Sequence, residues 1–328
     1  MTFSIILGLV AFLTCLLGTR LHILAMRRRA QPLDIAVLKG KQPLPPVAGG
    51  GLVLVFTLII GLLAADISLV VVLALLLLAS LGLVKRLLSV PAFVTVLVEF
   101  LCILLVLENL HHGLFAGLAV EIDKPLTALF WWWLMRCSRQ LEAVEGLPSL
   151  LAVAIAGSMV LLLSLMGAFP GQLSHFALVL ACAGAGFYWW NKPPARIRLD
   201  AVGSLPLGFL LGLFLILLSQ AGYGVSALIL PAYLLGDVTL TLLRRLYRWR
   251  FPLLGHAHFY VQRFIAGGRS PRAALRTIAG LHMLLAFLAC FAAIEPGIGI
   301  FALAMAYFAL CMMLGFFAYF AHDAGHKI

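Results

Sequence analysis

Charged residues are scarce in this chain: they make up 11% of its 328 residues, and only 12 are Asp or Glu. The same chain is 64% apolar, and its mean hydropathy is +1.12. A soluble domain of this length has too little interior to hide so much apolar surface. The composition therefore excludes a soluble globular protein and predicts a protein that is solvated by lipid.

Cysteine pairs are also missing. None of the six cysteines forms a C-x-x-C pair, and most lie inside apolar runs, so we interpret them as small hydrophobic residues rather than metal ligands or disulfides. Anionic lipid head groups explain the net charge of +11 more simply than nucleic acid does. The apolar stretch Met1–Leu17 precedes its charges Arg27–Arg29, the reverse of a secretory signal, and predicts a retained first span.

The basic residues that are present are strongly clustered. Twenty of the 23 Lys and Arg residues fall in five short stretches between long apolar runs, namely 27–41, 85–86, 136–139, 192–198 and 244–276. Cytoplasmic loops of membrane proteins carry such an excess of positive charge. The pattern predicts a multi-pass protein with its N-terminus outside and all five clusters on one cytoplasmic face.

The apolar runs predict an all-α, polytopic membrane protein with about 10–11 transmembrane helices in a single domain, 1–328. The weakest span, 113–135, is interrupted by Glu121, Asp123 and Lys124. The longest hydrophilic segment, 244–277, is predicted to be ordered and to lie on the surface. The predicted spans are 1–25, 48–65, 68–84, 93–109, 113–135, 149–168, 174–190, 201–219, 225–243, 278–294 and 297–319.

Two Gly- and Pro-containing loops carry possible chemistry. Three prolines precede Gly49-Gly50-Gly51, which indicates a stiff loop and a close helix contact. Asn191 opens a second loop that contains Arg196 and Arg198 and ends at Asp200. Gly203 and Ser204 follow at a helix start, where free N–H groups can meet phosphate. The alternative for each is structural: a tight helix contact for the first loop, and a loop basic only because it faces the cytoplasm for the second.

Two further patterns are weaker on their own. His256 and His258 form an H-x-H pair beside Arg263, which suits metal or phosphate binding but is equally typical of a solvated loop. Glu142 and Glu145 follow Arg136 and Arg139, and on a helix Arg139 and Glu142 would share a face, as would Glu142 and Glu145. Acids near a membrane are often functional, although an internal Arg–Glu pair would neutralise both charges.

Taken in order, these motifs resemble the polyprenyl-phosphate N-acetylhexosamine-1-phosphate transferases, which belong to glycosyltransferase family 4. The resemblance spans nearly the whole chain. The residues that match the family's motifs are Asp34, Ile35, Pro45 and Gly49–Gly51 in the first loop, Trp190–Ile197 and Val202–Leu205 in the fourth, Pro231–Tyr233 and Asp237 in the next span, and His256, His258, Tyr260, Gln262 and Arg263 in the last loop.

The resemblance implies transfer of a sugar-1-phosphate from a UDP-sugar to undecaprenyl phosphate with Mg²⁺, in cell-envelope polysaccharide synthesis in the bacterial inner membrane, and a possible homodimer. By family motif, Asn191, Arg196, Arg198, Gly203, Ser204, His256, His258 and Arg263 would bind substrate.

The chain departs from the family at the acidic positions that hold the metal. The family's Asp-Asp pair aligns with Lys85-Arg86, and Arg136 and Arg139 replace two Asn. The remaining acids, Glu142, Glu145 and Asp200, are the catalytic candidates, although the family's last Asp aligns with Ala201 and Asp200 lies one position earlier. Lys85 and Arg86 cannot ligate Mg²⁺ and would repel it, so we expect no metal site and impaired or absent turnover.

Three functions stay open from the sequence. The first is a transferase with an altered site built on Glu142, Glu145 and Asp200. The second, favoured by the chemistry, is a non-catalytic relative that binds an anionic polyprenyl lipid or a partner subunit. The third is a transporter, for which Asp237 is the apparent mid-span ionisable residue.

Overall fold

A computed structural model describes residues 2–30, 45–115, 117–247 and 259–322, which are helical apart from short connections. No strand occurs among these residues, only an isolated parallel bridge between Val47 and Ile197. The α-helices are α1 Thr2–Ala30, α2 Gly50–Ala64, α3 Leu69–Leu87, α4 Ala92–Leu107, α5 Val120–Leu141, α6 Leu147–Leu165, α7 Gln172–Asn191, α8 Asp200–Leu218, α9 Gly224–Ile229, α10 Ala232–Tyr247, α11 Tyr260–Ala266, α12 Pro271–Ile294 and α13 Gly299–His322.

The helices have the character expected of a multi-pass membrane protein. Within the described part of the chain, seven helical segments are long and apolar enough to cross a bilayer, and α2 and α4 are shorter apolar helices. Large apolar side chains such as Phe56, Leu87 and Ile300 are exposed, as is normal for a lipid-facing surface. The predicted all-α, polytopic class is confirmed. The orientation across the membrane stays a prediction.

The helix α8 is the centre of the bundle. It packs against α2, α3 and α5, and nearly all of its side chains are buried, as expected for a helix that is apolar on every side. Gly212 leaves room for the Trp131 ring of α5, whose Nε1 donates to the Phe209 carbonyl at 2.8 Å. This close contact positions the first turn of α8, where the candidate residues Asp200 to Ser204 lie.

The span predicted at 113–135 is displaced. The helix α5 begins only at Val120, because Asp123 is buried and its carboxylate accepts hydrogen bonds from Gly113 N at 2.6 Å and Phe115 N at 2.9 Å. These bonds hold residues 113–115 in a loop that folds back on the first turns of α5. The acids that interrupt the apolar run therefore shape a helix start, and the helix continues to Leu141.

The span predicted at 225–243 is broken into α9 and α10. Pro231 lies at the break, and a π-helical turn, Ser219–Tyr223, precedes α9 with Gly222 at φ 95°. In the hydrophilic segment 244–277, α10 extends to Tyr247, α11 follows at Tyr260, and α12 begins at Pro271 after the N-cap Ser270. Residues 248–258 of this segment lie outside the described residues, and α11 buries Val261 and Phe264 rather than lying wholly on the surface.

Candidate functional site

Two loops that the sequence singled out pair through their backbones. Val47 N donates to the Arg196 carbonyl at 3.0 Å, and Arg198 N donates back to the Val47 carbonyl at 2.8 Å. Gly51 N continues the pattern to the Leu199 carbonyl at 3.0 Å. We call residues 45–51 and 195–200 the paired loops. They bring the start of α2 and the start of α8 to one end of the bundle.

Glycine makes this pairing possible. A Cβ on Gly51 would lie 2.2 Å from the Gly203 nitrogen, and one on Gly203 would lie 2.6 Å from the Gly51 Cα. The two helices therefore touch backbone to backbone, which residues with side chains could not do. This contact is where the structure places Gly203, one of the predicted phosphate-binding residues.

Asp200 sits at the junction of the paired loops. Its Oδ2 accepts a hydrogen bond from Gly49 N at 2.6 Å and lies 3.7 Å from Nη1 of Arg86, at the end of α3. Asp200 has a left-handed backbone, with φ 59°, at the first residue of α8. Its carboxylate is thus engaged by a backbone amide and a guanidinium.

The turn after α5 contacts the second paired loop, residues 195–200. Glu145 Oε2 accepts a hydrogen bond from Ala195 N at 3.0 Å, and the Asn191 amide donates to the Ile197 carbonyl at 2.8 Å. Ser149 Oγ lies 2.9 Å from Asn191 Oδ1. Glu145 and Asn191 therefore hold the second paired loop in shape.

A cavity of about 160 Å³ opens between the paired loops and the turn after α5. We call the end of the bundle that is formed by the paired loops and this turn the polar end. Four predicted site residues line the cavity, from three different segments: Glu142, Glu145, Asn191 and Arg198. The remaining lining residues are Pro46, Ala143, Val144, Pro148, Ala195 and Leu199.

A continuous set of charged side chains runs beside this cavity. Asp200, already paired with Arg86, is within electrostatic range of Glu142, which in turn is near Arg139. Lys85 lies near Arg139 and Arg136. We call this set the charge network; its members are Lys85, Arg86, Glu99, Arg136, Arg139, Glu142 and Asp200. It contains four cations and three carboxylates.

Three buried atoms at the polar end make no hydrogen bond of standard geometry among the described residues, namely Arg139 Nη1, Glu142 Oε1 and Ser204 Oγ, although the Ser204 hydroxyl lies beside the Glu142 carboxyl. Burial raises the pKa of the Glu142 carboxyl, and the Asp200 charge raises it further, while Ser204 and Arg139 oppose the shift. A buried polar atom without a partner usually marks a place where water or a ligand binds.

The shared helix faces considered for Arg139 with Glu142, and for Glu142 with Glu145, do not form, because the helix stops short of Glu142. The helix α5 ends at Leu141, Glu142 caps it, and the chain turns before α6 starts at Leu147. Glu142 and Glu145 consequently lie on a turn around the cavity. No ion pair joins Arg139 to Glu142 in the described part of the chain, whose three ion pairs involve other residue pairs.

Sequence reasoning missed Glu99. This residue of α4 is fully buried, lies 3.3 Å from Arg136 Nη1, and accepts a hydrogen bond from Trp132 Nε1 at 3.0 Å. The sequence does contain a signal for Glu99, because a single acid inside an apolar span costs free energy to bury and usually has a role. Arg136 thus has a counter-ion inside the bundle, and its charge is compensated there.

The other predicted residues are spread around the polar end. The Arg196 guanidinium lies 5.3 Å from the Trp190 ring, and Arg263 lies 4.4 Å from the Tyr260 ring on α11. Ala201 packs against Gly82. His256, His258 and Asp34 lie outside the described residues.

Asp237 caps a helix. It is buried in α10 and accepts hydrogen bonds from Tyr260 N at 2.7 Å, Val261 N at 3.3 Å and the Tyr233 hydroxyl at 3.1 Å. These bonds satisfy the first amides of α11. The interpretation of Asp237 as the single mid-span ionisable residue is wrong, because Glu99 is also buried within a span.

The carboxylates of the polar end do not fit Mg²⁺. Mg²⁺ demands near-octahedral oxygen coordination, usually through one or two carboxylates together with substrate phosphates. Asp200 is shared by Arg86 and Gly49, and Arg139 lies beside Glu142. Within the described ranges, no group of three or more His, Cys, Asp or Glu side chains could hold a metal ion.

The part of the chain that contains this arrangement is similar to a known protein family. Residues 68–219 match the model for glycosyl transferase family 4. Over these residues the chain is similar to that family. The matched region contains the charge network, the turn between α5 and α6, and the second paired loop. It ends before Asp237 and Arg263. The predicted resemblance is therefore confirmed over the central part of the chain.

Individual relatives match shorter stretches. A phospho-N-acetylmuramoyl-pentapeptide-transferase from Desulfatibacillum aliphaticivorans is 50% identical over 50 residues, 15% of this chain and 14% of that protein. One of the same name from Granulibacter bethesdensis is 34% identical over 84 residues, 22% and 23% of the two chains. A probable undecaprenyl-phosphate N-acetylglucosaminyl 1-phosphate transferase from Bacillus subtilis is 27% identical over 138 residues, 37% and 35%. The chain thus spans between 14% and 35% of the length of these three proteins.

Proposed function

We propose that this chain binds the phosphate group of a polyprenyl phosphate, or of another anionic membrane lipid, at its polar end without a divalent cation. We also propose that it transfers sugar phosphate poorly or not at all. The observation that carries both is the position of Asp200, whose Oδ2 is held by Gly49 N at 2.6 Å and faces Arg86 at 3.7 Å. A carboxylate held by a guanidinium is a poor metal ligand.

Charge supports an anionic ligand. The charge network has four cations against three carboxylates, and burial favours the neutral form of Glu142. Arg139 offers a buried Nη1 that has no partner among the described residues. Arg198 is exposed on the cavity wall. Arg and Lys side chains can meet phosphate directly, with charge-assisted hydrogen bonds and no bridging metal.

The family supports a lipid as the carrier of that phosphate. The Bacillus subtilis relative is named for undecaprenyl phosphate, and the helices around the polar end span a membrane. The expected location is the bacterial inner membrane, with the basic clusters on the cytoplasmic side. Binding of a UDP-sugar and formation of a homodimer are proposed from the family resemblance alone.

An active transferase is the second candidate, and one observation favours it. Glu142 has a raised pKa and an Oε1 with no partner among the described residues. Such a carboxyl has the properties of a general base, which works best when its pKa is shifted towards neutrality. Under this alternative, Glu142→Gln would abolish UMP release.

The test combines binding with turnover. Purified full-length protein in detergent is titrated with undecaprenyl phosphate, and UMP release from UDP-N-acetylglucosamine is measured in the same samples. We expect binding without UMP release. We expect Arg139→Gln and Arg198→Gln each to weaken binding by roughly tenfold, since a charge-assisted hydrogen bond contributes about 1.5–3 kcal/mol.

The matched control is Arg20→Gln, which removes an exposed cation of α1 that does not line the cavity. This variant should bind as the wild type does. Rapid, Mg²⁺-dependent UMP release by the wild type would overturn the proposal, as would equal affinities of the Arg139, Arg198 and Arg20 variants.

A further inference from the structure

A second pocket, of about 550 Å³, lies between α6, α7 and α12 and shares no lining residue with the cavity at the polar end. We call it the lateral pocket. Its lining is Leu150, Tyr188, Lys192, Pro193, Leu275, Ala279, Arg272 and Arg276. Three of these residues are cations, none is acidic, and most of the others are apolar.

The cations of the lateral pocket lie near the ends of two helices. Lys192 directly follows the last residue of α7, and Arg272 is the second residue of α12. Arg276 lies one turn further along α12, on the same face as Arg272. Leu275 lies between Arg272 and Arg276, Leu150 is in the first turn of α6, and Ala279 lies about one turn beyond Arg276. The cations are therefore near helix ends, where lipid head groups are found, and Ala279 lies further towards the hydrocarbon.

Neighbouring contacts fit an interfacial location. Trp189 is 58% exposed, and Lys192 Nζ lies 3.9 Å from the centre of its ring. Exposed Trp residues concentrate at the two membrane–water interfaces. Arg272 Nε donates to the carbonyl of Pro193, which also lines the pocket, at 3.1 Å.

The charge of the pocket is not balanced by acids. Lys192, Arg272 and Arg276 are all exposed. The ion pairs found in the described ranges involve other cations, namely Arg86, Lys124 and Arg136. Basic pockets between membrane helices are suited to anionic lipid head groups.

A groove elsewhere on the surface provides a contrast. It lies between α1, α2 and α3, has a volume of about 590 Å³, and no charged residue lines it. Such a groove can accept a lipid chain but cannot distinguish one head group from another. The lateral pocket is of similar volume and differs by its three cations.

We propose that the lateral pocket is a binding site for an anionic glycerophospholipid of the surrounding bilayer. The lipid phosphate lies among Lys192, Arg272 and Arg276, and one acyl chain follows Leu275 and Ala279 along α12. This site is separate from the polar end and does not depend on the function proposed there.

The experiment measures which lipids the purified full-length protein retains. The protein is exchanged into mixed micelles with phosphatidylglycerol or phosphatidylcholine of identical chains, and bound lipid is counted by native mass spectrometry. We expect retention of phosphatidylglycerol over phosphatidylcholine. The triple variant Lys192→Gln, Arg272→Gln, Arg276→Gln should lose on the order of tenfold or more of the phosphatidylglycerol retention.

Two further variants make the test specific. Ala279→Trp fills the apolar part of the pocket while leaving all three cations, and it should also lose phosphatidylglycerol. The control triple Arg20→Gln, Lys124→Gln, Arg269→Gln removes the same charge from positions that do not line the pocket, and it should retain the lipid as the wild type does.

Three outcomes would overturn the proposal. The first is unchanged retention in the pocket triple, and the second is equal loss in the control triple. The third is displacement of the lipid by millimolar inorganic phosphate, which would show that the cations bind a free anion without the chain. Because the three cations are exposed, their variants are expected to fold, so the result does not depend on Ala279→Trp.

Discussion

Two pairs of carboxylates in this protein have very different surroundings. Asp123 and Asp237 are buried, and every hydrogen bond they accept comes from a backbone amide or hydroxyl that the fold places beside them. Glu142 and Asp200 lie at the polar end, where Glu142 Oε1 has no partner among the described residues and Asp200 shares a half-exposed guanidinium. The first pair organises local structure. In the second pair, Glu142 keeps an oxygen available for a ligand, whereas Asp200 is held by Gly49 N and Arg86.

Removing a structural acid should have the largest effect. Asp237→Ala leaves the Tyr260 and Val261 amides and the Tyr233 hydroxyl without their acceptor inside the bundle. We expect a loss of about 3–5 kcal/mol, because unsatisfied buried groups cost about 1–3 kcal/mol each and the effects partly overlap. Thermal unfolding in detergent measures it. Asp200→Ala is the comparison, and equal destabilisation by both changes would remove the distinction between the two pairs.

Breaking the buried ion pair between Glu99 and Arg136 should have the second largest effect on stability. Glu99→Ala leaves Arg136 without its counter-ion inside the bundle, and we expect a loss of about 3 kcal/mol. Adding Arg136→Met should restore most of the stability, since the pair is then replaced by apolar groups. If the double variant is as unstable as the Glu99 variant, Glu99 stabilises the protein through something other than this pair.

The pair at the polar end should matter little for folding. Arg86 and Asp200 have side-chain exposures of 38% and 21%, so solvent screens their attraction, and we expect Asp200→Asn to cost less than about 1 kcal/mol. The same change should leave affinity for undecaprenyl phosphate unchanged or improve it, because it removes a negative charge. Titration of the purified variant tests this, and a loss of affinity beyond tenfold would indicate that Asp200 holds the ligand or its metal.

Replacing Glu142 should have the smallest effect on stability, and that effect should depend on pH. The pKa of Glu142 in the folded protein is raised, so folding favours the protonated carboxyl. That contribution is fully present below the unfolded pKa and is lost as pH rises through the folded pKa. We expect Glu142→Gln to remove this component, so the difference in melting temperature between variant and wild type should grow in the variant's favour from pH 4 to pH 8. Parallel melting curves across that range would contradict it.

The sequence predicted the spans better than the contacts between them. Long apolar runs locate α3, α6, α7 and α12 because lipid solvation requires about 20 apolar residues in sequence. The displacement of α5 was not foreseen, because it depends on Asp123 reaching back to amides eight and ten residues earlier. Local hydropathy carries no information about that contact.

The candidate site was predicted in part for a similar reason. The motifs named Glu142, Glu145, Asn191 and Arg198, which do line one cavity. Their helical register was wrong because a turn follows Leu141. The pairing of the first and fourth loops joins segments about 150 residues apart through backbone hydrogen bonds, and such bonds leave no mark in side-chain chemistry.

Binding of undecaprenyl phosphate in EDTA, compared with binding in millimolar Mg²⁺, tests the metal-free site most directly. If Arg139, Arg198 and Lys85 supply the positive charge, the two dissociation constants should agree within about twofold, and both should rise with salt as exposed charges are screened. Binding that appears only with Mg²⁺ would contradict the proposal and show that Glu142 and Asp200 hold a metal despite the cations beside them.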